Sequence, residues 1–118
     1  VTLGIASDLA FGSGTATLSG PIKSFLVKLV GTMEKATYAI AVEGHTDNVP
    51  IRSSQFPSNW ELSAARSSAV IRFLTEQGIE ADKFRAIGFG DTVPMVANDS
   101  AENRAKNRRV DITFLTIG

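Results

Sequence analysis

Asp47 and Arg66 are the two side chains of this sequence whose types and positions point most directly to chemistry. Asp47 follows a segment with strand periodicity and lies in a polar loop. Arg66 falls in the middle of the apolar stripe of a helical segment. The stripe contains Leu62, Ala65, Ala69, Val70 and Phe73. Because burial of an unpaired charge is costly, Arg66 must either reach a carboxylate or lie where a ligand pairs with it.

Two interpretations of this pair are open on the residues alone. In the first, Asp47 and Arg66 form a structural ion pair that fixes the loop to the helix, as most such pairs do. In the second, they lie side by side in a cleft and bind an amino-acid zwitterion. The carboxylate of Asp47 would then take the ammonium group of the ligand, and the guanidinium of Arg66 its carboxylate.

His45, the only histidine, lies two residues before Asp47, and the chain has no cysteine. A zinc site needs about three or four N, O or S ligands, most of which would have to be carboxylates here. A serine hydrolase would need a strained nucleophile turn such as G-x-S-x-G, which the sequence lacks. We therefore expect no metal site and no catalytic centre, and we expect His45 to form local hydrogen bonds that orient the loop.

Three further features have both a structural and a binding interpretation. Trp60, the only tryptophan, falls in the first turn of the helix that carries Arg66, and it would pack on the loop or stack on a sugar. Phe11, at the entrance of an earlier loop, has the same two interpretations. The basic run 103–109 is typical of a solvated helix face, with contact to phosphate or a wall polymer as the alternative.

The elements that must position these side chains alternate between strand and helix. Period-two patterns predict strands at residues 2–10, 37–43, 84–89 and 109–115. In the first two strands the inward residues are Leu3, Ile5 and Leu9, and Tyr38, Ile40 and Val42.

Helical periodicity and end signals place the helices between these strands. The first helix begins at Pro21, and the second runs from a Ser58 and Glu61 capping box to about Gln77. Asp99 repeats the capping-box spacing before a short third helix. The order β-α-β-α-β-α-β favours an α/β fold with helices packed on a mixed sheet.

Composition indicates one folded domain over residues 1–118. Hydrophobic residues make up 43% of the chain and charged residues 20%, as in globular proteins. Acidic and basic residues number 12 each, so no overall positive field favours nucleic acid. No apolar run approaches the roughly 20 residues of a membrane span, and we expect the chain to be a fragment of a longer, membrane-anchored protein.

Three motifs in order resemble those of the OmpA-like peptidoglycan-binding family. They are Gly44-His45-Thr46-Asp47, Leu62-Ser63-Ala64-Ala65-Arg66 and Asn107-Arg108-Arg109-Val110. The resemblance implies a two-layer α/β sandwich with helices on a mixed four-stranded sheet, and a binding module without catalysis or cofactor.

The resemblance also implies roles for individual residues. Asp47 and Arg66 would bind the diaminopimelate of a peptidoglycan stem peptide. Thr46 and Asn48 would offer loop contacts, Leu62 would line the pocket, and Asn107 and Arg108 would lie at its rim, with Phe11 as a further candidate. Val49-Pro50 replaces a glycine of the family and stiffens the loop.

Within the family, the segments 43–51, 56–66 and 98–112 are similar to flagellar stator B subunits. This similarity implies a periplasmic domain of an inner-membrane-anchored protein that holds the motor to the cell wall. It also implies a homodimer, and a stator A subunit as partner through a membrane segment outside this chain. The alternatives are a dimerisation domain that controls stator assembly and channel activation, and a wall anchor unrelated to motility.

Overall fold

The computed structural model describes residues 2–35 and 39–115. Its strands are β1 (Thr2–Ala6), β2 (Ala39–His45), β3 (Phe84–Gly88) and β4 (Arg109–Leu115). Its helices are α1 (Ser7–Ala10), α2 (Gly20–Glu34), α3 (Asn59–Glu76) and α4 (Ala101–Asn107), and a 3-10 turn at Ala81–Lys83 precedes β3.

The four strands form one mixed sheet in the order β1-β4-β2-β3. The last strand, β4, lies between β1 and β2 and is antiparallel to both. β2 and β3 are parallel and are connected through α3. The predicted α/β class, with helices on a four-stranded mixed sheet, is confirmed.

The core lies between one face of this sheet and helices α2 and α3. Apolar side chains alternate along the strands, so that every second residue faces the helices. The fully buried large apolar residues are Leu26 and Met33 of α2, Val70 and Leu74 of α3, and Ile40, Val42, Val110 and Ile112 of the sheet. Each stabilises the fold by roughly 1.5–3 kcal/mol relative to an exposed position.

Two predicted boundaries are wrong at the start of the chain and before α4. The first strand ends at Ala6, and the chain turns into α1, which leaves Leu9 74% exposed instead of inward. The amide of Ser7 donates to the carbonyl of Arg108 at 2.9 Å and fixes this turn. The N-cap of α4 is Ser100, whose hydroxyl accepts from the Asn103 amide at 3.0 Å, and not Asp99. Tyr38 lies outside the described residues.

Helix α3, which carries the candidate site, begins and ends where the sequence predicts. The Ser58 hydroxyl oxygen accepts from the Trp60 amide at 3.2 Å and caps the N-terminus. The Glu61 carboxylate accepts a hydrogen bond from the Ser58 hydroxyl, so Glu61 supports the cap through the Ser58 side chain and not through the Ser58 amide. Gly78, at φ +106°, takes the left-handed conformation that follows the helix.

Two glycines allow α3 to lie directly on the sheet. Gly44 of β2 and Gly88 of β3 are paired neighbours in the parallel register. A Cβ atom on Gly44 would lie 2.2 Å from the carbonyl oxygen of Ser63, and one on Gly88 would lie 2.6 Å from the amide nitrogen of Ala64. The missing side chains therefore set the height of α3 above the ends of β2 and β3, where the candidate site lies.

Within residues 2–35 and 39–115, no helix has the length and apolar character needed to cross a membrane.

Candidate functional site

A cleft of about 610 Å³ lies beside the N-terminal half of α3 and the loop that follows β2. Four segments that are distant in sequence line it: α1 with the loop after it, the 46–51 loop, the first two turns of α3, and Arg108 between α4 and β4. The lining residues are Asp8, Phe11, Ser13, Gly14, Thr46, Asp47, Val49, Pro50, Ile51, Asn59, Leu62, Arg66 and Arg108.

Arg66 is held at this cleft by the loop after α1. Its Nε donates to the carbonyl of Thr15 at 2.8 Å and one terminal nitrogen donates to the carbonyl of Gly12 at 3.3 Å. The guanidinium carbon lies 4.9 Å from the centre of the Phe11 ring, a cation–π contact. The residue is only 6% exposed, and burial lowers the pKa of its guanidinium.

Asp47 is also buried, but its partner is Arg108. Its Oδ2 lies 2.6 Å from a terminal nitrogen of Arg108, and its Oδ1 accepts from the Val49 amide at 3.0 Å. The structural ion pair between Asp47 and Arg66 is therefore not formed. Among the described residues no carboxylate forms an ion pair with Arg66, so this cation reaches the cleft without a bound counter-charge.

Arg108 links the two acidic residues of the cleft. Its Nε and second terminal nitrogen donate to both carboxylate oxygens of Asp8 at 2.9 and 2.8 Å, in a bidentate pair. These hydrogen bonds raise the pKa of Arg108 above its ordinary value and lower the pKa of Asp8. Asp8, Arg108 and Asp47 thus form a charged row along one side of the cleft, with Arg66 as a separate cation.

The loop that carries Asp47 is fixed from both sides. The Thr46 amide donates to the carbonyl of Gly90 at 2.8 Å, and the Thr46 hydroxyl donates to the carbonyl of Asp47 at 2.8 Å. From the first turn of α3, the Asn59 side-chain amide donates to the carbonyl of Val49 at 3.1 Å. These bonds fix the shape of the cleft before any ligand binds, a preorganised arrangement.

Six of the eight residues singled out in the sequence line the cleft. They are Phe11, Thr46, Asp47, Leu62, Arg66 and Arg108. Asn48 does not line it, because its side chain is exposed and accepts from Nε of Arg104 at 3.3 Å.

Asn107 is not a rim residue either. It is 0% exposed, and its Oδ1 accepts from the amides of Met95 and Val96 at 2.8 and 3.1 Å. Its Nδ2 donates to the Val96 carbonyl and to the Asn98 side chain. All polar atoms of this side chain hold the 95–98 loop, so its role is to organise that loop.

The sequence reasoning missed Asp8 and Asn59. Asp8 was not predicted as a site residue because its segment has the periodicity of a strand. In the structure Asp8 lies in α1 and forms an ion pair with Arg108. Asn59, the first residue of α3, follows its N-cap directly, and that position next to the loop was an available signal. Val49 and Pro50 were noted for the stiffness of their loop but not as cleft residues, and Ser13, Gly14 and Ile51 had no distinguishing signal.

The basic run is not a solvated face at its C-terminal end. Arg108 lies in the cleft, and Arg109 pairs with Asp111 at 3.1 Å on the sheet face away from the core. His45 lies beside this pair, with Nε2 3.6 Å from Asp111, and its ring stacks on Phe89 at 5.0 Å. Among the described residues Nδ1 of His45 has no hydrogen-bond partner, so the expectation of local hydrogen bonds is wrong.

Trp60 packs less completely than its position in α3 suggested. Its indole covers Gly90, where a Cβ atom would lie 3.4 Å from Cδ2 of the ring, yet Trp60 is 53% exposed.

Within residues 2–35 and 39–115, no group of three or more His, Asp or Glu is arranged to hold a metal ion.

Comparison with known sequences identifies relatives that share this domain. Residues 10–108 match the model of the OmpA family. Motility protein B of Bacillus subtilis is 44% identical over 118 residues, which covers 97% of this chain and 44% of that protein. Peptidoglycan-binding protein ArfA of Mycobacterium tuberculosis is 31% identical over 105 residues, covering 88% of this chain and 31% of that protein. The chain thus spans less than half the length of these relatives.

Two solved structures with the same fold are those of a cell wall anchor and of a periplasmic domain. The cell wall anchor of the T6SS from Pseudomonas aeruginosa superposes with a TM-score of 0.90 at 37% identity, covering 98% of this chain and 81% of that one. The periplasmic domain of Helicobacter pylori MotB gives 0.89 at 30% identity, covering 99% and 76%. With the family match over most of its length, the chain belongs to the OmpA family.

Proposed function

We propose that this domain binds peptidoglycan non-covalently in the cleft, without making or breaking a covalent bond. The observation that carries the proposal is Arg66, a buried guanidinium that lines the cleft and forms no ion pair with any described carboxylate. A cation in that position gains most from an anionic ligand group, because the site is already desolvated.

The ligand group that fits best is the second amino-acid head of diaminopimelate in a stem peptide. Its carboxylate would pair with Arg66, whose Nε and one terminal nitrogen are already fixed by the carbonyls of Thr15 and Gly12. Its ammonium group would approach the carboxylate of Asp47, which Arg108 and the Val49 amide hold in place. A zwitterion matches both ends and leaves no unpaired charge in the cleft.

The apolar lining of the cleft suits the rest of that side chain. Leu62, Pro50 and Ile51 contribute hydrocarbon surface beside the charged groups. Diaminopimelate carries a short methylene chain between its two amino-acid heads, and contact of that chain with these residues would add to binding through burial of apolar area. Lysine, which has the ammonium group but no second carboxylate, would leave Arg66 unpaired.

The relatives support a role at the cell wall. ArfA is named as a peptidoglycan-binding protein, and the T6SS protein as a cell wall anchor. We further propose that this domain anchors a flagellar stator from the periplasmic side, a proposal supported by the 44% identity to Motility protein B. Since the T6SS anchor has a closely similar structure, a wall anchor unrelated to motility is the alternative.

Co-sedimentation with insoluble peptidoglycan sacculi tests the binding proposal. We expect Arg66→Ala to weaken binding by about 10- to 150-fold, the effect of about 1.5–3 kcal/mol for a lost charged hydrogen bond. Arg72→Ala is the matched control, because it removes the same charge from an exposed position of α3 away from this cleft. Free diaminopimelate should release the wild-type protein.

A folded Arg66→Ala protein that co-sediments as the wild type does would refute the assigned site. Folding of each variant is checked by circular dichroism. Release of soluble muropeptides from the sacculi would contradict a purely non-covalent role.

A further inference from the structure

Trp60 lies at the same end of the molecule as the cleft, but the cleft does not use it. Asn59, its neighbour, lines the cleft, and consecutive Cα atoms are about 3.8 Å apart. The loop that Trp60 covers is also the one that holds the cleft, since the carbonyl of Gly90 accepts from the amide of Thr46 at 2.8 Å. The indole and the cleft therefore flank the same short segment of the β2–α3 loop.

The indole is held in place but left open to solvent. Gly90, at φ +59°, has no side chain, and this allows the ring to lie close to the loop backbone. The backbone amide of Trp60 is bound by the Ser58 hydroxyl, which fixes the start of the helix under it. Despite these contacts the residue is 53% exposed, so a large aromatic surface with little freedom faces the solvent beside the cleft.

We propose that Trp60 is a stacking platform for a sugar ring of the glycan strand, a second subsite of the peptidoglycan site. This inference rests on the proposed function of the cleft. A flat indole in a residue that is 53% exposed suits the apolar C–H face of a pyranose, and its N–H can donate to a sugar hydroxyl. Asn48 and Arg104, hydrogen-bonded to each other at 3.3 Å, lie at the same end and can bind the polar edge of the sugar.

The covalent structure of peptidoglycan gives the right order of groups. Two residues separate diaminopimelate from the lactyl group of the sugar in a stem peptide. An extended residue spans about 3.5 Å, or more where it is joined through a side-chain carboxyl, so the two together span about 7 Å or more. On this proposal, a stem peptide with diaminopimelate in the cleft crosses the 46–48 segment and brings its sugar to the indole.

Because Trp60 is the only tryptophan of the chain, tryptophan fluorescence reports on the proposed subsite alone. Two ligands are compared by calorimetry: a stem tripeptide that ends in diaminopimelate, and the same tripeptide attached to its disaccharide. We expect the wild-type domain to bind the disaccharide form about three- to tenfold more tightly, a change that corresponds to about 0.65–1.4 kcal/mol. The disaccharide form should also protect Trp60 fluorescence from acrylamide quenching, whereas the tripeptide should not.

Variants at Trp60 separate stacking from packing. Trp60→Leu keeps an apolar side chain over Gly90 and should bind both ligands equally, at the wild-type affinity for the tripeptide. Trp60→Phe keeps an aromatic face and should retain part of the gain. Equal affinity of the wild type for the two ligands, or a full gain in folded Trp60→Leu, would overturn the Trp60 subsite and leave the cleft intact. Failure of the wild type to bind either ligand would overturn the proposed function and this inference with it.

Discussion

Replacement of Gly44 by alanine tests the claim that α3 is positioned by its close approach to the sheet. The added Cβ would lie 2.2 Å from the Ser63 carbonyl oxygen and 2.9 Å from Oγ of Ser67. The first contact is with helix backbone, which cannot rotate away, so the helix must retreat by about 0.8 Å to restore even a 3.0 Å separation. Overpacking of this kind typically costs about 1–3 kcal/mol.

The retreat of α3 would also strain two hydrogen bonds between the helix and the end of the sheet. Ser67 donates to the Ile87 carbonyl at 2.9 Å, and the Gly90 amide donates to Ser63 at 3.0 Å. Their loss would add about 1 kcal/mol each, which brings the expected destabilisation to about 3–5 kcal/mol. For a domain of this size the melting temperature should fall by about 12–20 °C.

Urea and thermal unfolding, followed by circular dichroism, measure this change. Gly31→Ala is the matched control, because Gly31 lies within α2 and a Cβ there meets nothing within 4 Å. It should be neutral or stabilise the protein by up to about 1 kcal/mol through helix propensity. If Gly44→Ala unfolds at the same urea concentration as the wild type, the glycine contact does not set the position of α3.

Three further predictions concern the charged and buried polar residues. Arg108→Ala removes the ion pair with buried Asp47 and should cost about 1–3 kcal/mol in urea unfolding, with weaker binding to sacculi. Burial lowers the pKa of His45 below its ordinary value of 6.5, so as the pH falls the unfolded chain is protonated at His45 before the folded protein is. The free energy of unfolding should therefore be highest above pH 6.5 and should decline below it. A His45→Gln variant should show a smaller decline when unfolding is measured as a function of pH. Asn107→Ala leaves two backbone amides without their acceptor and should cost about 2–3 kcal/mol, whereas Asn103→Ala, which removes one exposed side-chain bond, should cost less than 1 kcal/mol (about 0.5) in the same assay.

Local sequence signals predicted α2 and α3 well because the causes of these two helices are local. The start of α3 follows from Ser58 and its end from Gly78, each within one turn of the helix. The apolar face of α2 likewise follows from the spacing of its own residues, with Leu26 and Met33 fully buried. The predicted strands were correct in the core, where the buried Val110 and Ile112 alternate with the half-buried Asp111 and Thr113.

The partners of the charged residues could not be predicted, because they depend on contacts between distant segments. Asp8 and Arg108 are 100 residues apart, and only the pairing of β1 with β4 brings them together. Because Arg108 forms the ion pair with Asp47, the guanidinium of Arg66 donates instead to carbonyls of the loop after α1. The period-two spacing wrongly predicted that Leu9 faces the core, because the spacing alone does not reveal that the strand ends and the chain turns at Ser7.

The position of β4 between β1 and β2 has a consequence for synthesis of the protein. β1 has no described strand partner other than β4, and β2 has only β3 before β4 joins the sheet. During synthesis β1 therefore cannot pair until β4 has been made. The large separation of β1 and β4 in the sequence also makes folding slow. A chain that ended at residue 108 would contain Asp8, Asp47, Arg66 and Arg108 but would lack β4, the strand that brings them together. Wall binding should thus appear all at once, when the final strand is complete.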